Sequence, residues 1–387
     1  MAARANKPAF NIREKLKELT HNIGLKGREL MGAATAQEAR DLVSAGRKNL
    51  IQNGALNVWQ RGTAQTTITS GREFLADRWG VATAGSAQVT HELSTDAPAG
   101  FAYSLKVSPS VTDTLVTTEQ SHITQIIEAQ NLTFLKWGTR EGIPITISFW
   151  AKSNTTANKC LWIYAQDAGD HIARQFNLSK PNVWEKFTFI IPPNPGGVIA
   201  NDNGAGIYVR ITLDSGPDAA NGSLPTEWSN LSSNGRYGTL EPGFLENTAN
   251  EFYLTGVQVE AGKNATDFEH RFYGEELALC QRYFYKFRLT NQEWIYNEGT
   301  AASNKWHQFY IGHSMRPISV IGVTDVTTGG SIGGLSGTIS SYSPQIPGDT
   351  PSRVSSRVTM SSNGGTARNI YHYDGWNTDY ISVSAEL

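Results

Sequence analysis

The alternation in Ile145–Lys152 (ITISFWAK) constrains this chain more than any other feature. Ile145, Ile147, Phe149 and Ala151 take one parity, and Thr146, Ser148, Trp150 and Lys152 take the other. A period of two predicts a half-buried strand. Cys160–Ala165, Lys186–Ile191, Ile207–Leu213 and Phe252–Glu260 read as further strands. Turn-rich stretches such as PPNPGG (192–197) and DSGPDAANGS (214–223) separate them without intervening helices. This layout favours an antiparallel sandwich over a βαβ arrangement. The composition agrees. Its 37 glycines supply positive φ for tight turns, and the 10% of aromatic residues suits pleated surfaces. The fold class expected is therefore mainly β.

A chain of 387 residues exceeds one ordinary hydrophobic core, and its character changes twice. Residues 1–48 are helical in pattern. Ile12, Leu16, Leu19 and Ile23 recur at spacings of four, three and four, on one helix face. Asn11 with Glu14 suits a helix start, and Gly24 a stop. A second short helix opens on a Thr35–Glu38 capping box and ends at Gly46. These 48 residues hold ten Lys/Arg against five acids, leaving 23 basic and 30 acidic residues in the remainder. The charges alternate in sign with no interleaved aromatics, which favours a mixed polar face over a nucleic-acid-binding arm. Helices this short are marginal alone and must pack on identical copies or on another protein. Residues 49–287 carry the sandwich pattern. Within them only Tyr273–Arg288 breaks the β reading, and a short connecting helix fits there. Residues 288–387 turn rich in Gly, Ser and Thr, with strand-like pieces at Ile318–Val323 and Tyr380–Ser384, and read as a small C-terminal β domain.

HExxH, GxxxxGK[ST] and a strand-borne GxGxxG are all missing from the sequence. The eight histidines are scattered, with no metal-ligand spacing. Asp167, Asp170 and His171 (QDAGDHIA) read better as a hairpin turn than as an acid–base site, since Asp and Gly are what turns require. Glu275 and Glu276 are adjacent on the connector, and neighbouring residues on a helix face different ways, which makes a poor carboxylate dyad. Cys160 and Cys280 sit in apolar surroundings and read as buried, inert thiols. No enzymatic role, metal or cofactor is expected. No stretch reaches the ~18 apolar residues of a membrane span, and the start of the chain has no apolar signal core, so synthesis in a host cytoplasm without membrane insertion is expected. Trp59, Trp79, Trp137, Trp150, Trp162 and Trp184 fall in apolar contexts and read mainly as packing. Trp294, Trp306, Tyr373 and Trp376 instead stand among Asn, Asp, Gly and Thr, a mixture suited to an exposed binding surface and equally open to structural roles.

Several segments resemble bacteriophage tail-fibre and related virion-appendage proteins. RKNLIQNGALNVWQRGT (47–63) with ADRWGV (76–81) is similar to the family's opening strand, NLIxNGxFxxWQRG…ADRW. FYLTGVQVEAGKNATDFEHRFYGEELALCQRYFYK (252–286) resembles its closing strand and connector, and ISVSAEL resembles the end of its C-terminal domain. The helical arm looks like the attachment region of marine phage appendages. The resemblance implies a jelly-roll sandwich like that of carbohydrate-binding modules, presented as a homotrimer. It transfers no catalytic or sugar-contacting residue. Trp59, Gln60, Arg61, Asp77, Arg78 and Trp79 read as packing and salt-bridge elements. The expected protein is a structural virion component, a tail fibre mediating host attachment. Ile12, Leu16, Leu19 and Ile23 would anchor it to other virion proteins. Trp294, Trp306, Tyr373 and Trp376 would meet a host cell-surface glycan or protein. The alternative is a capsid decoration protein built from the same parts. A polysaccharide depolymerase is more remote, because parallel β-helix repeats are absent.

Overall fold

The computed structural model describes residues 49–231, 235–238, 240, 243–286 and 386 in full. It also gives the strand backbone at 287–288, 294–296, 304–310, 339–345, 353–360, 371–372 and 380–384. In chain order the first strands are Thr66–Ile68 (β1), Gly71–Phe74 (β2), Gly80–Thr83 (β3), Gln88–Ser94 (β4), Ser104–Val111 (β5) and Gln120–Glu128 (β6). There follow Ile145–Ser153 (β7), Lys159–Ala165 (β8), Asp170–Phe176 (β9), Glu185–Ile191 (β10), Ala205–Ser215 (β11), Ser229–Asn230 (β12) and Phe252–Ala261 (β13). They form a six-stranded sheet, β1-β4-β5-β13-β7-β10, and a seven-stranded one, β12-β9-β8-β11-β6-β3-β2. The pairings within both are antiparallel. Ile145, Ile147 and Phe149 from one sheet meet Leu161, Ile163, Val209 and Ile211 from the other in a single buried core. This is the antiparallel sandwich that the strand pattern predicts.

The backbone beyond the sandwich is also β. Helix α1 (Tyr273–Gln281) leads into Phe284–Arg288 (β14), which pairs with Tyr380–Ser384. The connector is therefore helical only to Gln281, because its remainder finds a strand partner. Another sheet of five strands joins Trp294–Tyr296, Asn304–Tyr310, Ile339–Gln345, Arg353–Met360 and Tyr371–His372. The helical arm, 1–48, and the strand expected at Ile318–Val323 lie outside the described residues.

Strand β7 departs from its pattern. It is buried on both faces, with only Trp150 half-buried. Alternation correctly identifies the inner face but says nothing of loops that fold over the outer one. Thr146 Oγ1 donates to the Gly262 carbonyl at 2.8 Å, and Lys152 pairs with Asp96. Phe101, Phe268 and His270 form an aromatic cap, with ring centroids 4.8–5.3 Å apart. A register shift in β13 sets Gly256 at φ 61 beneath that cap, where a Cβ would stand 2.7 Å from the Phe101 ring.

The segments that carry the family resemblance converge in space. The opening stretch is looped rather than a strand, with Asn53 and Leu56 at φ 54 and 55. It nevertheless zips onto β13. Asn49 Oδ1 accepts from Ile51 and Val259 amides at 3.0 Å, and its Nδ2 donates to the Val257 carbonyl. Gly54 lies so close that a Cβ would be 2.2 Å from the Val257 oxygen. The Asn53 amide donates to Glu276 at 2.6 Å, and Arg271 pairs with both Glu269 and Glu276. Gln60 and Arg61 hydrogen-bond Asp77, whose carboxyl burial lifts to about 7 despite the Arg61 guanidinium 3.1 Å away. Arg78 is 2% exposed. Its Nε donates to Gln52 at 2.8 Å, Nη1 pairs with Glu386, and Nη2 donates to the Ile126 carbonyl, while the plane lies 3.4 Å from the Tyr283 ring centroid. Trp79 is buried beside it and donates to Asn53 O at 3.0 Å. Packing and ion pairing are thus what these motif residues do. Both cysteines are buried, and burial raises their thiol pKa.

Removing one partner from a buried, hydrogen-bonded charge pair costs about 3–5 kcal/mol. Arg78→Ala should therefore destabilise by that amount in urea unfolding, and Arg78→Lys should not restore it, since an ammonium cannot reproduce the planar fork. A second expectation concerns His91, which is 1% exposed with neither ring nitrogen hydrogen-bonded among the described residues. Burial pulls its pKa down from 6.5 to about 4. The unfolded chain then binds the extra proton between those values, so stability is full above about pH 6.5 and falls towards pH 4, by on the order of 3 kcal/mol. Replacing His91 with Leu should flatten that part of the stability-versus-pH curve.

Candidate functional site

The outer face of the seven-stranded sheet is the candidate site, and strand register builds it. Residues of even parity on β6, β8 and β11 turn away from the core, opposite Ile123, Leu161, Ile163, Val209 and Ile211. Pairing lines them up across the sheet. One row runs Arg72, Ala82, His122, Thr212, Cys160, Gln175. The next runs Phe74, Gly80, Thr124, Arg210, Trp162, Ala173, and a third Ile126, Tyr208, Tyr164, His171.

One flank of this face is closed. A single helical turn, Pro217–Ala220, with Leu224, Tyr237 and Leu240 packs over Cys160, Trp162 and Ala173. The rest is partly open, leaving Tyr164, Tyr208 and Arg210 half-buried and Arg72 exposed. Trp162 stacks on Tyr164 at 5.3 Å and 14°, and Tyr164 meets Tyr208 at 5.6 Å. Trp162 Nε1 donates to His171 Nδ1 at 2.9 Å, which places the proton of neutral His171 on Nε2. Burial, followed by the Arg236 charge, lowers the His171 pKa. The Arg210 guanidinium lies 4.6 Å from the Trp162 ring centroid, and its Nη1 donates to Gln120 at 3.1 Å and Tyr237 Oη at 3.3 Å.

Bonding capacity is left over on this face. His122 Nδ1, Arg210 Nε and Thr212 Oγ1 are buried atoms without a hydrogen-bond partner among the described residues, and all three belong to neighbouring positions. Burial holds the His122 pKa well below its ordinary value, with the Arg210 and Arg72 charges adding to the effect. Orphaned polar groups cost stability, and these three lie together beside a half-open aromatic surface.

The sequence-derived candidates fare differently. Asp167, Asp170 and His171 form the expected hairpin between β8 and β9. Asp167 accepts from the Ala200 amide and Asp170 from Asn194, both at 2.8 Å. Glu276 is tied to Asn53 and Arg271, while Glu275 is exposed. Trp79, Trp137 and Trp162 are buried as packing residues, and Trp59, Trp150 and Trp184 are half-buried. Trp294 and Trp306 fall on adjacent strands, with Tyr296 the register partner of Trp306 and His372 that of Trp294. Tyr373 and Trp376, like Ile12, Leu16, Leu19 and Ile23, lie outside the described residues. Sequence reasoning missed Tyr164, Tyr208 and Arg210. Their even parity within Cys160–Ala165 and Ile207–Leu213 was the available signal, since it separates them from the apolar inner set.

No protein-family model matches the chain, and no curated protein matches it either. Solved structures give similarities at low identity. The enzymatically active domain of tailspike protein 4 of bacteriophage CBA120 is 13% identical over 55% of this chain and 21% of that one, with a TM-score of 0.27. A family 4 carbohydrate-binding module is 16% identical over 55% and 99% of the two chains, with a TM-score of 0.28. The family 11 carbohydrate-binding module of the Clostridium thermocellum cellulase Lic26A-Cel5E is 12% identical over 53% and 99%, with a TM-score of 0.27. The chain spans about one fifth (21%) of the tailspike domain's length.

The orphaned hydroxyl offers a direct check. Thr212 is 0% exposed, so Thr212→Val removes a buried donor at nearly constant shape. Thermal unfolding should show a gain of about 1 kcal/mol. A loss of that size would mean the hydroxyl is already satisfied in the folded protein.

Proposed function

We propose that the chain is a non-catalytic display protein of a tailed-bacteriophage particle, a tail fibre or related appendage, whose sandwich binds saccharide on a host surface. One observation carries the binding half: the half-open Tyr164–Tyr208 pair beside Arg210 and its neighbours, whose hydrogen-bonding capacity the fold leaves unspent. Rings offer a flat apolar surface to a pyranose, and short-range donors fix its orientation. The virion half rests on the sequence motifs. Their residues are spent on the ion pairs and packing around Arg78, as befits a scaffold.

In this reading residues 1–48 seat the chain on the particle, the assembled form is a homotrimer, and three copies of a weak site act together. Linked sites raise effective affinity by ~10²–10⁴. Trp294, Trp306, Tyr373 and Trp376 form a separate candidate contact set towards the end of the chain, two of them on adjacent strands. Burying Ile12, Leu16, Leu19 and Ile23 against a virion partner would contribute about 1.5–3 kcal/mol for each side chain. Gradient-purified particles should therefore contain the full chain, cross-linkable as trimers, and should lose it when 1–48 are deleted. Mass spectrometry that finds no trace of the full chain in such particles would sink the virion assignment.

A further inference from the structure

Resting on the saccharide reading above, we infer that the outer face of the seven-stranded sheet is a site for acidic saccharides, bearing carboxylate or sulfate, rather than neutral ones. The three rows that register aligns contain two guanidinium groups, Arg72 and Arg210, and not one Asp or Glu. Two carboxylates act on this face, Glu386 on Arg72 and Asp170 on His171, and both are engaged elsewhere, Glu386 by Arg61 and Arg78 and Asp170 by Asn194 at 2.8 Å.

Geometry points the same way. Arg210 occupies the middle of its row, between Thr124 and Trp162, with Tyr208 and Tyr164 beside it in the next row. Its Nη1 is fixed by Gln120 and Tyr237 and its guanidinium lies over the Trp162 ring, which leaves Nε as a buried donor without a partner among the described residues. His122 lies on the adjacent row, 7% exposed, and its unpartnered Nδ1 adds a second buried polar atom to the same patch. A neutral sugar would satisfy the donors only through hydroxyls. An anionic group would meet the Arg210 guanidinium with charge-assisted bonds, roughly twice as strong. The tyrosines then stack on the ring that carries the charge. Phosphodiester chains share the anionic chemistry, but the half-buried rings and the closed Pro217–Ala220 flank suit a single saccharide strand better than a nucleic acid.

Isothermal titration of the full-length chain tests this with three acidic probes, namely hexa-mannuronate, a sialic acid hexamer and a sulfated carrageenan hexamer. Cellohexaose and maltohexaose serve as neutral probes, and an oligothymidylate as the nucleic-acid control. At least one acidic probe should bind about tenfold or more tightly than both neutral ones, and weaken as salt is raised. Arg210→Gln and Tyr208→Ala should each reduce that affinity by about tenfold. Tyr208 is half-buried, so its variant keeps the test valid even if Arg210→Gln unfolds the flank. Equal binding of neutral and acidic probes, or acidic binding that survives both substitutions in folded protein, overturns the inference and leaves the saccharide reading in place. Tighter binding of oligothymidylate than of any saccharide also overturns it. Binding of none of the five saccharides removes the saccharide reading itself.

Discussion

The structure hangs on one buried guanidinium. Arg78 lies at the start of the seven-stranded sheet with its backbone in the left-handed region, at φ 70, a conformation that an arginine adopts only when its surroundings hold it there. Its donors reach Gln52 in the opening loop, the Ile126 carbonyl on β6 and Glu386 near the chain end, and Tyr283 lies against its plane. Four segments distant in sequence are thereby tied at one point. Burying this charge without partners would cost several kcal/mol, so the segments must arrive together or not at all. Arg61 repeats the device from the outside, bridging Asp77 and Glu386 over the Phe284 ring.

Around that point the opening loop, the last long strand and helix α1 behave as one clasp. Asn49 substitutes for missing strand hydrogen bonds along β13, Gly54 allows the backbones to touch, and Arg271 returns to the Ile51 carbonyl at 3.1 Å. Phe268 and His270, from the same closing segment, cover the outer face of the six-stranded sheet with Phe101. The two outer faces consequently differ in kind. One is covered by loops and crossed by the ion pairs of Lys106 with Glu92 and Glu251 and of Lys152 with Asp96. The other keeps orphaned donors beside open tyrosines. That asymmetry is why the proposed saccharide site is placed on the seven-stranded sheet.

Much of this was legible in the chain, for reasons that can be stated residue by residue. Period-two alternation in 145–152 and the turn chemistry between apolar runs determined the sandwich, because a strand with one apolar parity must bury it against another sheet. The hairpin at Asp167–His171 and the inert burial of Cys160 and Cys280 followed from local composition in the same way. What sequence could not supply was register and long-range covering. Tyr164, Tyr208 and Arg210 become one patch only when β8 and β11 pair at Tyr208–Tyr164 and Arg210–Trp162, and a slip of one residue would turn them into the core. The outer face of β7 is buried by loops more than forty residues away along the chain, such as that of Asp96, which no alternation can announce. The sequence alone determined which residues want an apolar or a polar side. Only the tertiary structure decided which polar ones would be spent on holding the fold and which left unpartnered for something else, because hydrogen bonds are settled by distance in space rather than along the chain.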